Sequence, residues 1–201
     1  MDLVIKLVGW VLFIMAVRDS YFAFKKDKSL LKLYFSNYLD YLWGFLLSMS
    51  VLMSILFILY LEPPAWLKFS WISFISDGQS QNLVTSPMTS GFTPIVIIFW
   101  ILMVLCFPYL AKMEEVVFRH DVIDIKARIK KSIIFGLVHM LMGIPLYIAL
   151  VLSVVGFIFS IRYVRSWRLF GSEVALIHST SLHMKYNFIL ITIGCLLVLF
   201  T

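Results

Sequence analysis

The sequence predicts an all-α protein, a polytopic transmembrane bundle of about six membrane helices. Of its 201 residues, 62% are hydrophobic and 14% are charged, and its mean hydropathy is +0.97. A water-soluble chain of this length needs more polar surface than this composition supplies. The apolar residues also fall in blocks, and a helix of roughly 20 such residues can cross a bilayer. The lipid bilayer is therefore the expected environment and partner of the chain.

The first three apolar blocks each predict one membrane helix. The first covers residues 3–17; because its basic cluster follows it, we interpret it as a retained helix and not as a signal peptide. The second runs from about 38 to 61 and stops before Pro63-Pro64. The third runs from about 94 to 120.

Residues 63–92 predict a polar external connection between the second and third helices. The stretch 76–93 is rich in Ser, Thr, Gly, Asn and Gln, which is typical of a loop. Before it stand four aromatic residues that suit the headgroup level of a membrane: Trp66, Phe69, Trp71 and Phe74.

The C-terminal half predicts the remaining helices. The apolar region 132–163 is long for one span, and Gly143-Ile144-Pro145 interrupts it. We therefore divide it into a short fourth helix, 132–143, and a fifth, 146–163, preceded by a basic cytoplasmic stretch at 121–131. The last segment, 172–201, is either one long helix or two helices joined near 185–187.

The basic residues predict the orientation. Fourteen of the 17 Lys and Arg residues lie in the loops 18–37, 112–131 and 162–168. Since basic residues accumulate in cytoplasmic loops, these loops are expected in the cytoplasm and the N-terminus outside. The net charge of +6 thus reflects topology, and no nucleic-acid partner is expected.

Cys106 and Cys195 lie in apolar blocks and are expected to be packing residues.

Three short motifs place polar side chains in or beside the apolar blocks, where ionisable residues usually face the bundle interior. In the first, Glu115 and Arg119 are four residues apart and can pair on one helix face, while Glu114 points about 100° away. The alternative to a functional role is a charged patch at the cytoplasmic end of the third helix. The motif spans residues 114–119, with the sequence EEVVFR.

The second and third motifs each place two side chains one helical turn apart. Phe135 and His139 form the second pair, and His183 and Asn187 form the third. A packing histidine and a polar helix–helix contact are the structural alternatives. His178 is a second candidate for the third motif, although helical spacing favours His183 as the partner of Asn187.

Together the motifs offer a carboxylate, two imidazoles and an amide. A carboxylate with an imidazole can activate water as a general base. A second imidazole and an amide can donate hydrogen bonds to a developing oxyanion. This set suffices for peptide hydrolysis without a serine or cysteine nucleophile, and the zinc-protease signature HExxH is absent from the sequence.

The order EExxxR, FxxxH and HxxxN resembles the CAAX prenyl protease 2 and bacteriocin-processing family, also called CPBP or Abi, of intramembrane proteases. The resemblance covers roughly residues 107–190. It divides the chain into N-terminal transmembrane helices with a polar external loop, 1–106, and a catalytic core, 107–201. Members often carry glycine after the arginine, where this chain has His120.

The resemblance implies a glutamate-dependent endopeptidase whose site opens toward the cytoplasm. It implies that Glu114 is the base, that His139 helps to hold the water, and that His183 and Asn187 form the oxyanion hole.

Glu115 and Arg119, with Phe135, are expected to support the site. No cofactor is expected; zinc is the alternative and is not favoured. The substrate would be a peptide or protein, lipidated or not, such as a prenylated C-terminus or a leader peptide. The competing hypothesis is a non-catalytic immunity or partner-binding protein with the same fold. A transporter is less expected, because the sequence shows no inverted repeat.

Overall fold

The computed structural model describes residues 29–70 and 93–200, together with scattered positions between 11 and 25. Every regular element within these residues is helical. The elements are α1 (Ser29–Phe35), α2 (Tyr38–Tyr60), α3 (Thr93–Phe118), α4 (Ile125–Val138), a short 3₁₀ helix (His139–Met142), α5 (Leu146–Phe170) and α6 (Ser172–Phe200). The predicted first helix, 3–17, and the predicted loop, 76–93, lie largely outside the described residues, as do Trp71 and Phe74.

Three helices in the described part are long and apolar enough to cross a membrane. They are Tyr38–Tyr60, Val96–Phe118 and Leu146–Phe170, with mean hydropathies of 2.3, 2.2 and 2.0. These lengths and compositions are those of a membrane protein. The predicted all-helical class is confirmed for the described residues, whereas the count of about six membrane helices is not.

Helix α6 lies at the centre of the bundle, where it contacts α2, α3 and α5, while α4 packs on α5. Small residues allow α2 to approach α6. A Cβ atom on Gly44 would lie 3.1 Å from the Tyr186 nitrogen, and the Ser48 hydroxyl lies 3.4 Å from the Tyr186 carbonyl oxygen. Small residues four apart are a common solution for close helix packing in membranes.

The break between α4 and α5 confirms the division predicted at 143–145. Gly143 has φ 85° and ends the 3₁₀ helix, and Pro145 directly precedes α5. Proline suits the start of a helix because its missing N–H is not needed there. The carbonyls of Leu67 and Phe69 accept from the first N–H groups of α5, so the segment after α2 caps this helix.

Several predicted boundaries were wrong. Helix α4 begins at Ile125 and not at 132, because the Asp124 side chain caps it by accepting from the Ala127 N–H at 2.9 Å. The basic stretch before 132 is thus largely helical. Helix α5 continues beyond 163 to Phe170, and α3 ends at Phe118. Residues 172–200 form one helix, the first of the two alternatives.

The crossing of α4 and α5 depends on Gly136. A Cβ atom there would lie 2.2 Å from the Ala149 carbonyl oxygen. Gly136→Ala should therefore force the helices apart and lower the free energy of unfolding by about 1–3 kcal/mol or more. Gly194→Ala is the matched control, because a Cβ atom there meets nothing within 4 Å. Thermal unfolding in detergent micelles measures both, and equal midpoints would contradict this packing.

Candidate active site

Glu115 of α3 is the most enclosed member of the polar cluster. Its side chain is 0% exposed, and its Oε1 lies 3.3 Å from Arg119 Nη1 and 2.8 Å from His183 Nδ1. The Ser179 hydroxyl donates to its other oxygen, Oε2. Because an ionised carboxylate only accepts hydrogen bonds, Nδ1 of His183 carries a proton in this contact. A buried charge is tolerated only with partners of this kind.

Glu114 lies on the other side of the His183 ring. Its Oε2 is 3.3 Å from His183 Nε2, and its side chain is 25% exposed. This pair of atoms does not form a hydrogen bond, and the Glu114 Oε2 atom is buried without a hydrogen-bond partner. A proton on Nε2, a proton on Glu114 or a bridging water would satisfy both atoms. His183 therefore stands between one fully paired glutamate and one whose carboxylate keeps acceptor capacity.

Aromatic rings enclose the Arg119 guanidinium. Its central carbon lies 4.2 Å from the Phe135 ring centroid and 5.5 Å from that of Phe159. Its Nη2 donates to the Gly156 carbonyl at 3.3 Å. A Cβ atom on Gly156 would lie 2.7 Å from the Phe135 ring, so glycine leaves the space that this stack occupies. Cation–π contacts are strongest where water is excluded, as it is here.

Phe135 contacts both histidines of the motifs. Its ring centroid lies 4.7 Å from that of His139 and 5.6 Å from that of His183. The half-buried His139 lies in the 3₁₀ helix, and its Nδ1 donates to the Phe135 carbonyl at 2.7 Å. Within the described residues, no hydrogen bond or ion pair joins His139 to Glu114 or Glu115.

The third motif is divided in the same way. His183 lies against the glutamates, whereas the half-buried Asn187 side chain makes no hydrogen bond to another described residue. His178, the alternative histidine, lies elsewhere, with its Nδ1 2.7 Å from the Ser166 hydroxyl. Sequence reasoning missed Ser179, although its position four residues before His183 places it on the same face of α6.

A second buried polar cluster, here called the Asp40 cluster, also escaped the sequence analysis. Asp40 is 1% exposed, and its carboxylate accepts from Arg162 Nη2 at 3.1 Å and from the Ser181 hydroxyl at 2.6 Å. The Asn37 amide donates to it at 2.7 Å, and Lys185 donates to the Ser181 oxygen at 3.0 Å. The sequence does contain a signal for this cluster, since Asp40 and Lys185 are ionisable residues that each lie inside an apolar block.

The groupings of polar residues do not form a metal site. Among the described residues, no set of three or more His, Cys, Asp or Glu side chains is arranged to hold a metal ion. No family model, curated protein or solved structure matches the chain. The chemistry of the cluster is therefore argued from its own geometry and from the three motifs.

Arg119→Met should leave the buried Glu115 carboxylate without its strongest partner. We expect the free energy of unfolding to fall by about 3–5 kcal/mol, the usual effect of breaking a buried ion pair. Chemical unfolding in detergent micelles measures it, with Lys130→Met as the control, since Lys130 is exposed. The double variant Glu115→Gln/Arg119→Met should recover part of the loss. Equal free energies of unfolding for Arg119→Met and Lys130→Met would contradict the buried ion pair.

Proposed function

We propose that the chain is a multi-pass intramembrane endopeptidase in which Glu114 activates a water molecule to hydrolyse a peptide bond. One observation carries this proposal: the Glu114 side chain is 25% exposed, and its buried Oε2 lies 3.3 Å from a His183 imidazole that Glu115 holds from its other side. A base must be free to accept a proton and near a group that can share it. The order of the three motifs, with its likeness to the CPBP family, adds independent support.

The proposed reaction balances with these groups alone. Water oxygen attacks the carbonyl carbon of the substrate while Glu114 takes a proton from the water. The developing oxyanion accepts hydrogen bonds from the Asn187 amide and from His183, which must then carry a proton on Nε2 as well as on Nδ1. Glu114 returns its proton to the leaving nitrogen as the carbon–nitrogen bond breaks. His139 would hold the water through Nε2, since its Nδ1 is bound to the Phe135 carbonyl.

The arrangement of the helices supports an opening toward the cytoplasm. Glu114 lies near the C-terminus of α3, Asp40 near the N-terminus of α2 and Arg162 in the C-terminal part of α5. The consecutive spans α2 and α3 run in opposite directions, and Arg162 lies 3.1 Å from Asp40, so these helix ends would share one side of the membrane, the side of the basic loops. We propose about six membrane helices with the N-terminus outside. The substrate would be a membrane-associated peptide, either a prenylated C-terminus or a leader peptide.

One observation favours a non-catalytic alternative, in which the same fold binds a partner or confers immunity. Within the described residues, no side-chain hydrogen bond or ion pair joins the glutamates to His139 or Asn187, two of the four residues assigned to catalysis. The contacts of Glu115 with Arg119, Ser179 and His183 would hold a bundle together without any reaction. In this alternative, function survives loss of the Glu114 charge.

Glu114→Gln should abolish cleavage, because the amide cannot accept a proton from water. We expect a fall in turnover of about 10²–10⁴-fold, the usual size of a general-base effect. Mass spectrometry of peptide termini in membranes that contain the parent or the variant at equal levels measures it. Glu173→Gln is the control, because the Glu173 side chain is 85% exposed. Termini that are the same in all three samples, with the cellular phenotype intact, would favour partner binding.

Asn187→Ala tests the proposed oxyanion hole separately. Since the Asn187 side chain makes no hydrogen bond to another described residue, loss of its amide should leave the melting temperature unchanged. Turnover of a synthetic peptide that carries the cleavage sequence should fall by about 10²-fold with KM little altered, because the contact forms only as charge develops. A rise in KM at constant kcat would instead assign Asn187 to ground-state binding.

A further inference from the structure

Helix α6 carries polar side chains on two opposite faces at the level of the site. Ser179 and His183 face α3, where both bind Glu115. Ser181 and Lys185 alternate with them along the chain and belong to the Asp40 cluster. Residues two apart on a helix differ by about 200°, so the two pairs point in opposite directions. Two polar contacts therefore hold the same turns of α6 from either side.

Lys185 ties α6 to the corner between α1 and α2. Its side chain is fully buried, and its ammonium donates to the carbonyls of Ser36 and Asn37, the latter at 3.2 Å. Asn37 has φ 56° and starts α2, so the lysine binds the chain where it turns. The positive charge of the ammonium is thus surrounded by oxygen atoms of Ser36, Asn37 and Ser181.

The backbone of α2 reinforces this contact. Asp40, Gly44 and Ser48 follow one another at intervals of four along the buried face of α2. A Cβ atom on Gly44 would meet the Lys185 carbonyl carbon at 3.2 Å. The Asp40 cluster and this close approach both act on α6 within one turn of His183. Together they fix the rotation of α6 about its own axis and its position along that axis.

Stability alone does not explain the Asp40 cluster. Apolar side chains of similar volume commonly stabilise a core as well as a buried ion pair does, or better. Ionisable residues within membrane segments are costly and are usually functional. What the charges add over an apolar contact is a defined position for α6, since hydrogen bonds have a direction and apolar contacts do not.

We propose that Asp40 and Lys185 are positioning residues for His183. The inference rests on the proposed function and deepens it. By fixing the rotation of α6 from the face opposite the site, the Asp40 cluster sets the His183 ring between Glu114 and Glu115. A displacement of about 1 Å at a catalytic group can cost on the order of 10²-fold in rate. Asp40 and Lys185 thus act through His183 without touching the substrate.

The test compares Asp40→Asn and Lys185→Gln with Leu152→Ala. Leu152 is buried on α5 and belongs to none of the apolar clusters that include residues of α6, so Leu152→Ala should lower stability without moving α6. Steady-state kinetics use the synthetic peptide at a temperature below the melting point of every variant. Asp40→Asn and Lys185→Gln should lose about 10–100-fold in kcat per folded molecule with KM changed little. Leu152→Ala should retain the kcat of the parent.

A readout independent of activity uses ¹⁵N-labelled histidine, of which the chain has four. The His183 ring signals are those lost in His183→Gln. They should shift in Asp40→Asn and Lys185→Gln and stay unchanged in Leu152→Ala. Ser181→Ala removes two hydrogen bonds, to Asp40 and from Lys185, and no charge. It replaces either charge variant that fails to fold, and the same shift is expected.

The outcomes separate the two proposals. Lower melting temperatures with unchanged kcat and unchanged His183 signals would overturn the positioning role and leave the peptidase intact. If the parent cleaves no peptide, the proposed function fails, and the His183 signals alone decide the positioning role. Shifted signals then support the positioning of His183 by Asp40 and Lys185, and unshifted signals overturn this role.

Discussion

The fully buried Glu115 carboxylate is the constraint on which the rest of the described structure depends. A charge in this environment needs partners, and those of Glu115 are Arg119, directly after α3, and Ser179 and His183 on α6. These contacts fix the register of α3 against α6. Arg119 in turn needs aromatic faces and a carbonyl, which α4 and α5 provide. One ionised group thereby determines how four helices meet.

Polar groups are concentrated on α6 because it is the helix with neighbours on several sides. Between 179 and 185 its side chains are buried whichever way they point, so none of them has to be apolar to meet lipid. A lipid-facing helix cannot be built this way. The alternation of polar residues there reflects two separate contacts, one with α3 and one with α2 and α5, and the position of His183 depends on both.

The sequence predicts what local patterns determine. Long apolar blocks predicted α2, α3 and α5, Gly143 and Pro145 predicted the break before α5, and the spacing of Glu115 and Arg119 predicted their ion pair. The start of α4 was missed because its first turns are basic and resemble a loop, while a single aspartate sets the cap. The pairing of Asp40 with Arg162 and of Lys185 with the α1–α2 corner joins distant parts of the chain. Asp40 and Lys185 are each visible as a charge in an apolar block, but their partners are not.

The two adjacent glutamates show how a helix can assign different tasks to identical side chains. A step of one residue turns the side chain by about 100°, which takes Glu115 into the bundle and leaves Glu114 25% exposed. The paired carboxylate cannot accept a proton from water without losing its contacts with Arg119 and Ser179. The less enclosed one can, and it lies beside an imidazole that its neighbour orients. The difference in burial therefore decides which glutamate is suited to be the base and which to be its support, and any catalytic role for this cluster has to follow that division.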